Sequence, residues 1–279
     1  NYTERRAFCE EFSPSDEEHQ LYEWVSEYLQ RPKLYALPNS QRQLMTLILR
    51  KLLASSTYAI YGTLDALVKK LEKIIHKNDT DLLSELEQDI EKHEEISDEW
   101  VEDEADVIVE IDYTPEDIEA INTEIEDLKK FRDLAQKIRI NSKAERLIVA
   151  LEKAFVEIEK LGANQKALIF TESRRTQEFI YNLLEARGYK NKVVQFNGSN
   201  TDAKSKEIYK NWLLEHKGTD KITGSPTADK RAALVDYFKE EATIMIATAA
   251  AAEGINLQFC SLIVNLDLPW NPQRIEQRI

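Results

Sequence analysis

The chain is poor in residues that interrupt or staple a fold: seven glycines, seven prolines and two cysteines in 279 residues. Cys9 and Cys260 stand far apart, the second in an apolar setting, so no disulfide framework organises the fold and buried thiols are expected. The four histidines, His19, His76, His93 and His216, are scattered without metal-ligand spacing, and no metal site is assigned. No apolar run approaches the ~20 residues that span a bilayer, and the first twelve residues lack a signal-peptide core. The expectation is a cytoplasmic protein. A phosphate loop of the form G-x-x-x-x-G-K-[ST] is also missing.

Positive charge is scarce as well, with a net charge of −14. The deficit is local. Residues 79–127 hold 22 acidic residues and one base, Lys92, whereas the rest of the chain has 36 basic and 29 acidic residues. The remainder is therefore mildly basic, which permits nucleic-acid binding without demanding it. A segment this acidic reads first as a solvated face or loose insertion, and second as a surface for a basic partner protein. Asp103, Glu104, Ala105 and Asp106 spell the DEAD tetrapeptide inside it. No apolar strand precedes them, so the spelling is coincidental.

Residues 17–30 carry Leu21, Trp24, Val25, Tyr28 and Leu29 at helical spacing, after a start near Ser15 and Asp16. Residues 40–75 continue helical spacing without proline, with Gly62 as the expected break or bend. Leu82, Leu83, Leu86 and Ile90 extend a stripe into the acidic segment. Thr114, Pro115, Glu116 and Asp117 form a helix start, and the helix runs toward Ile138. Another starts at Ser142, with Glu145 completing a capping box, and ends at Gly162. These two helices are expected to pack on the long N-terminal one.

From residue 165 strand and helix alternate: strands at 167–170, 193–196, 243–247 and 262–266, and helices at 174–187, 202–215 and 228–239. Six of the seven glycines lie from Gly162 onward. This alternation implies a parallel sheet flanked by helices, an α/β unit behind an all-α bundle, with its loops along one edge.

Residues 246–258, IATAAAAEGINLQ, followed by 265–279, NLDLPWNPQRIEQRI, resemble motif V and the opening of motif VI of superfamily-two helicases, specifically the bacterial Swi/Snf-type translocases. ALIFTES at 167–173 resembles motif IV, and FNGSN at 196–200 resembles the motif at the next strand end. SPSDEEHQLYEWVSEYLQ and LILRKLLASS are similar to the segment between the two motor lobes of these proteins. The resemblance implies three regions. Residues 1–75 are interlobe helices, 76–162 an acidic insertion with return helices, and 163–279 a second RecA-like lobe cut within motif VI.

The same resemblance implies site residues. Thr171, Ser173, Gly198, Ser199 and Thr248 are expected to hold a nucleic-acid backbone, since short hydroxyls and amides after a strand bond phosphate without selecting a base. Helix capping is the alternative for Thr171, Ser173 and Ser199. Glu253, Gly254 and Asn256 match cleft positions near the nucleotide, although Asn256 stands where relatives often carry an acid. Gln277 and Arg278 match the start of motif VI, and the arginine fingers are expected beyond Ile279. The resemblance implies a parent that uses ATP with Mg2+, acts on double-stranded DNA and pairs this lobe with a first RecA-like lobe. The piece alone is expected to be inactive. The alternative is a non-catalytic binding module that docks a basic protein through residues 79–127.

Overall fold

The computed structural model describes residues 7–37, 42–76, 113–138, 141–248, 251 and 257–267. The DEAD tetrapeptide and the stripe of Leu82, Leu83, Leu86 and Ile90 lie outside them.

Helix α1 (Asp16–Leu29) begins where the Ser15 hydroxyl accepts from the Glu18 amide and the Glu18 carboxylate accepts from the Ser15 amide. This reciprocal cap satisfies two otherwise orphaned donors. Helices α2 (Arg42–Ser55), α3 (Thr57–Ile75) and α4 (Pro115–Lys137) complete an all-helical unit. Its core joins Leu21 and Val25 of α1, Ile48 of α2, Leu64 and Leu71 of α3, and Ile121 and Leu128 of α4.

The break expected at Gly62 falls at Ser56 instead. There the backbone turns extended, and the Ser56 hydroxyl accepts from the Ala59 amide at 3.1 Å, capping α3. Gly62 lies inside α3. A Cβ there would approach Arg175 Nη1 to 2.5 Å, so the residue makes room for a guanidinium rather than bending the helix.

A carboxylate of α4 fixes the link from α1 to α2. Buried Glu124 accepts from the Tyr28 hydroxyl at 2.7 Å and from the Tyr35 and Ala36 amides at 2.8 and 3.0 Å, while Lys70 donates to the Ala36 carbonyl. Burial raises the Tyr28 hydroxyl well above its ordinary pKa and lowers that of the Lys70 ammonium. Nearer the surface Arg31 pairs with Asp127 and Lys33 with Asp117.

Helix α5 (Ser142–Lys160) departs from expectation twice. Its cap is Asn141, whose Oδ1 accepts from the Ala144 amide, and Ser142 donates its hydroxyl to Glu18. Its apolar stripe, Leu147, Leu151, Phe155 and Ile158, faces the sheet rather than the helical unit. The stripe matches the sheet's β-branched face, so α5 belongs to the α/β layer.

The sheet contains β1 (Ala167–Thr171), β2 (Val193–Phe196), β3 (Ile244–Thr248) and β4 (Leu262–Asn265), all parallel, in the order β2-β3-β1-β4. Fully buried β1 and β3 read as unbroken apolar runs, as central parallel strands do. Helices α5 and α6 (Arg174–Ala186) cover one face, and α7 (Ala203–Glu215) and α8 (Pro226–Glu240) the other. This is the parallel α/β architecture the alternation implied. Cys9 is exposed, contrary to the expected burial, whereas burial pushes the half-buried Cys260 thiol up to about 11.

Two predictions follow from this packing. Gly62→Ala gains roughly 1 kcal/mol of helix propensity but displaces Arg175, so it is expected to be near neutral in urea unfolding, and stabilising by about 1 kcal/mol once Arg175 is alanine. The hydroxyl of Tyr35, the Lys33 ammonium and Thr114 hold the Asp117 carboxyl below its usual range. A depressed folded-state pKa gives stability that is present above about pH 4 and lost as pH falls through the folded value. Asp117→Asn is therefore expected to be less stable than the parent at neutral pH, the two converging below pH ~4.

Candidate functional site

In open parallel sheets the carboxyl ends of the strands are where loops converge and ligands sit. Here that edge runs from Asn197 after β2, past Thr248 and Thr171, which are register partners, to Asp267 beyond β4. Its two halves differ.

The half at β1 and β4 is closed by the helical unit. Asp267 is buried, and its Oδ2 accepts from Thr171 Oγ1 at 2.7 Å, Ser55 Oγ at 2.8 Å and the Glu172 amide at 3.2 Å. Its Oδ1 takes the Lys143 ammonium at 2.5 Å, and Lys143 also donates to the Ala54 carbonyl. Thr176 adds hydroxyl contacts to Ser55 and Ser56 at 2.7 and 2.9 Å. Arg175 reaches Thr63 Oγ1 at 3.0 Å, and Tyr58 stacks on Phe179 with ring centroids 5.9 Å apart.

This arrangement engages the side chains of two of the expected residues. Thr171 is 0% exposed and commits its hydroxyl proton to Asp267. Ser173 is 1% exposed and caps α6, accepting from the Thr176 amide at 3.3 Å. Both side chains are bonded within the edge itself. For Ser173 the capping alternative describes the side chain.

Among the described residues, the half at β2 and β3 is open. Gly198 is exposed and Ser199 half-buried, on a loop stiffened from within. The Asn197 amide donates to Asn200 Oδ1 at 2.7 Å, and Asn197 Oδ1 accepts from the Asn200 amide at 2.8 Å and the Ser199 amide at 3.2 Å. Asn200 has φ of +45°, a conformation asparagine tolerates better than most residues. Lys230 of α8 lies beside the loop, 3.5 Å from the Ser199 carbonyl. The Arg231 guanidinium sits 5.2 Å from the centre of the Phe196 ring and donates to the Ala251 carbonyl. Thr248, 2% exposed, closes β3 next to this loop.

The structure thus brings Thr171, Ser173, Gly198, Ser199 and Thr248 to one edge, with only the β2 loop facing outward among the first four. Glu253, Gly254, Asn256, Gln277 and Arg278 lie outside the described residues. Sequence reasoning missed Lys143, Gln177 and the role of Asp267. An acid that ends an apolar strand was the available signal for Asp267. For Gln177 it was a neutral amide in the stripe of Ile180 and Leu184. Among the described residues, no group of three or more histidine, cysteine or acidic side chains is placed to hold a metal ion. No helix among them is long and apolar enough to cross a membrane.

Residues 142–279 match the family model of the helicase conserved C-terminal domain. Over 90 residues, 32% of this chain, the sequence is 41% identical to an uncharacterized ATP-dependent helicase, YqhH, of Bacillus subtilis. Over 77 residues, 27% of this chain, it is 32% identical to the ATP-dependent RNA helicase ROK1 of Yarrowia lipolytica. The matches span 15% and 14% of those two proteins. The family match starts at α5, the helix whose stripe packs on the sheet.

Asp267→Ala would leave the partly buried Lys143 without its carboxylate and three donors without an acceptor. The expected loss is about 3 kcal/mol in denaturant unfolding, as for other broken buried pairs. Asp267→Asn, which still accepts from Ser55 and Thr171, is expected to lose about half as much.

Proposed function

From the premise that residues 142–279 form a helicase C-terminal lobe, we propose that the chain is the second motor lobe and interlobe helices of a Swi/Snf-type ATP-dependent translocase. Its track is the backbone of double-stranded DNA, and it works in the cytoplasm. The lobe is drawn from residue 142, because α5 shares the sheet's core. The observation that carries the reading is the loop at 197–200. It is held by its own hydrogen bonds, exposed at Gly198 and flanked by Lys230 at the open half of the carboxyl edge. Such a loop offers amides and a hydroxyl to phosphate oxygens and reads no base.

In this reading ATP with Mg2+ belongs to the parent protein, in a cleft between this lobe and a first RecA-like lobe. The described edge offers hydroxyls and amides but no glycine-bracketed lysine to meet a triphosphate, so these residues alone do not fit the nucleotide. Glu253, Gly254, Asn256, Gln277 and Arg278 are the positions that would face it. Arg278 supplies a guanidinium toward the phosphates, and the first lobe supplies the phosphate cradle. The chain by itself therefore hydrolyses no ATP.

The test is binding of the chain to duplex DNA, duplex RNA and single strands of equal length. Duplex DNA is expected to bind best and independently of sequence, with affinity falling on a log scale by about 0.9 per phosphate contact as salt rises. Ser199→Asp is expected to weaken it about tenfold, by placing a like charge against the backbone. Equal affinity for all of these ligands would overturn the duplex-DNA assignment. ATP hydrolysis by the chain, abolished in Arg278→Ala, would overturn the division of labour between the lobes.

A further inference from the structure

Gln177 sits on the inner face of α6, 1% exposed, where a helix packed on a sheet ordinarily carries an aliphatic side chain. Its Nε2 donates to the Phe196 carbonyl at 3.0 Å and to the Ile246 carbonyl at 2.7 Å. The first carbonyl ends β2 and the second lies in the middle of β3. Its Oε1 accepts from Asn197 Nδ2 at 2.9 Å. Both donor hydrogens and the acceptor are thus used, and they join α6, β2, β3 and the loop. Asn197 passes the constraint on. With Nδ2 held by Gln177, its Oδ1 is aimed at the Ser199 and Asn200 amides, and Asn200 returns a bond to the Asn197 amide.

We infer that Gln177 is a positioning residue for the nucleic-acid surface: through Asn197 it holds residues 197–200 in the one form that presents Gly198 and Ser199 to a phosphodiester backbone. This rests on the proposed function above. The physical gain is preorganisation, since a loop that is binding-competent only a tenth of the time binds about tenfold more weakly even with every contact retained. Gln177 touches no ligand. Its effect is on the intrinsic order of the loop and not on the number of charges meeting phosphate.

The experiment compares the parent chain with Gln177→Met, which keeps the packing volume and removes all three bonds, and with Gln177→Ala. Hydrogen exchange is followed residue by residue, and binding to a duplex DNA is titrated at several salt concentrations. The expected result has three parts. The amides of Asn197 and Asn200 lose protection while those of Ile169 and Ile246 keep theirs. Duplex affinity falls about tenfold, with the slope against log salt unchanged because no cation is removed. Ser199→Asp added to Gln177→Met weakens binding by less than it does in the parent, because the loop is already displaced.

Unchanged affinity in Gln177→Met, from a parent chain that does bind duplex DNA, would overturn the positioning role and leave the function standing. Loss of protection across the sheet together with the loop would also overturn it, since Gln177 would then be a general core residue. A parent chain that binds none of the nucleic acids would overturn the functional reading, and this inference with it.

Discussion

The Asp267 carboxylate is where the helical unit and the sheet are tied together. It stands at the end of an edge strand and gathers a lysine from α5, a serine from the end of α2, and a threonine hydroxyl and a backbone amide from the end of β1. The two units have separate apolar cores, and among the described residues the contacts at this junction are polar apart from the stack of Tyr58 on Phe179. A polar junction costs desolvation and is stable only where every lone pair and proton is used. Ser55, Ser56, Thr171 and Thr176 supply short donors and acceptors that meet this condition in little space. The arrangement fixes direction as well as contact, because hydroxyl and carboxylate bonds lose strength quickly when misaligned.

Division of the carboxyl edge follows from that junction. The α2–α3 break lies against the ends of β1 and β4, so Thr171 and Ser173 face protein. The ends of β2 and β3 have no such cover among the described residues, and the loop there is held from beneath by Gln177 and Asn197. Under the proposed function, an edge with one sealed half and one open half would leave a linear polyanion only the open side.

Much of this was legible in the sequence wherever one residue decides one local event. Ser15 with Glu18 and Thr114 with Asp117 start helices because a cap needs only its own first turn. The strands were legible because parallel central strands are apolar on both faces. What failed depended on partners distant in the chain. Gly62 looks like a helix breaker until Arg175, more than a hundred residues away, occupies the space a Cβ would fill. The stripe of α5 is equally good for a bundle or a sheet, and its periodicity cannot say which. Thr171 and Ser173 carry the right chemistry for a phosphate contact, and only Asp267 and the turn into α6 decide that they spend it internally.

The acidic segment shows the same dependence on distant partners. Read as composition, its carboxylates invite a basic protein partner. Three of the described ones are already engaged by the chain itself: Asp117 by Lys33 and Tyr35, Glu124 by Tyr28 and two amides of the following loop, and Asp127 by Arg31. Charge that is paired locally adds little to a long-range field, because a neighbouring opposite charge cancels it within a Debye length of about 8 Å at physiological salt. Outside residues 79–127 the chain carries 36 basic and 29 acidic residues, so the net charge of −14 does not describe the open edge of the sheet. That edge lies at the far end of the sheet order from the strand clamped to the helices, with Lys230 beside it. Under the proposed function, the part of the edge that would meet a phosphate backbone is the loop held by Gln177 and Asn197, with Lys230 beside it.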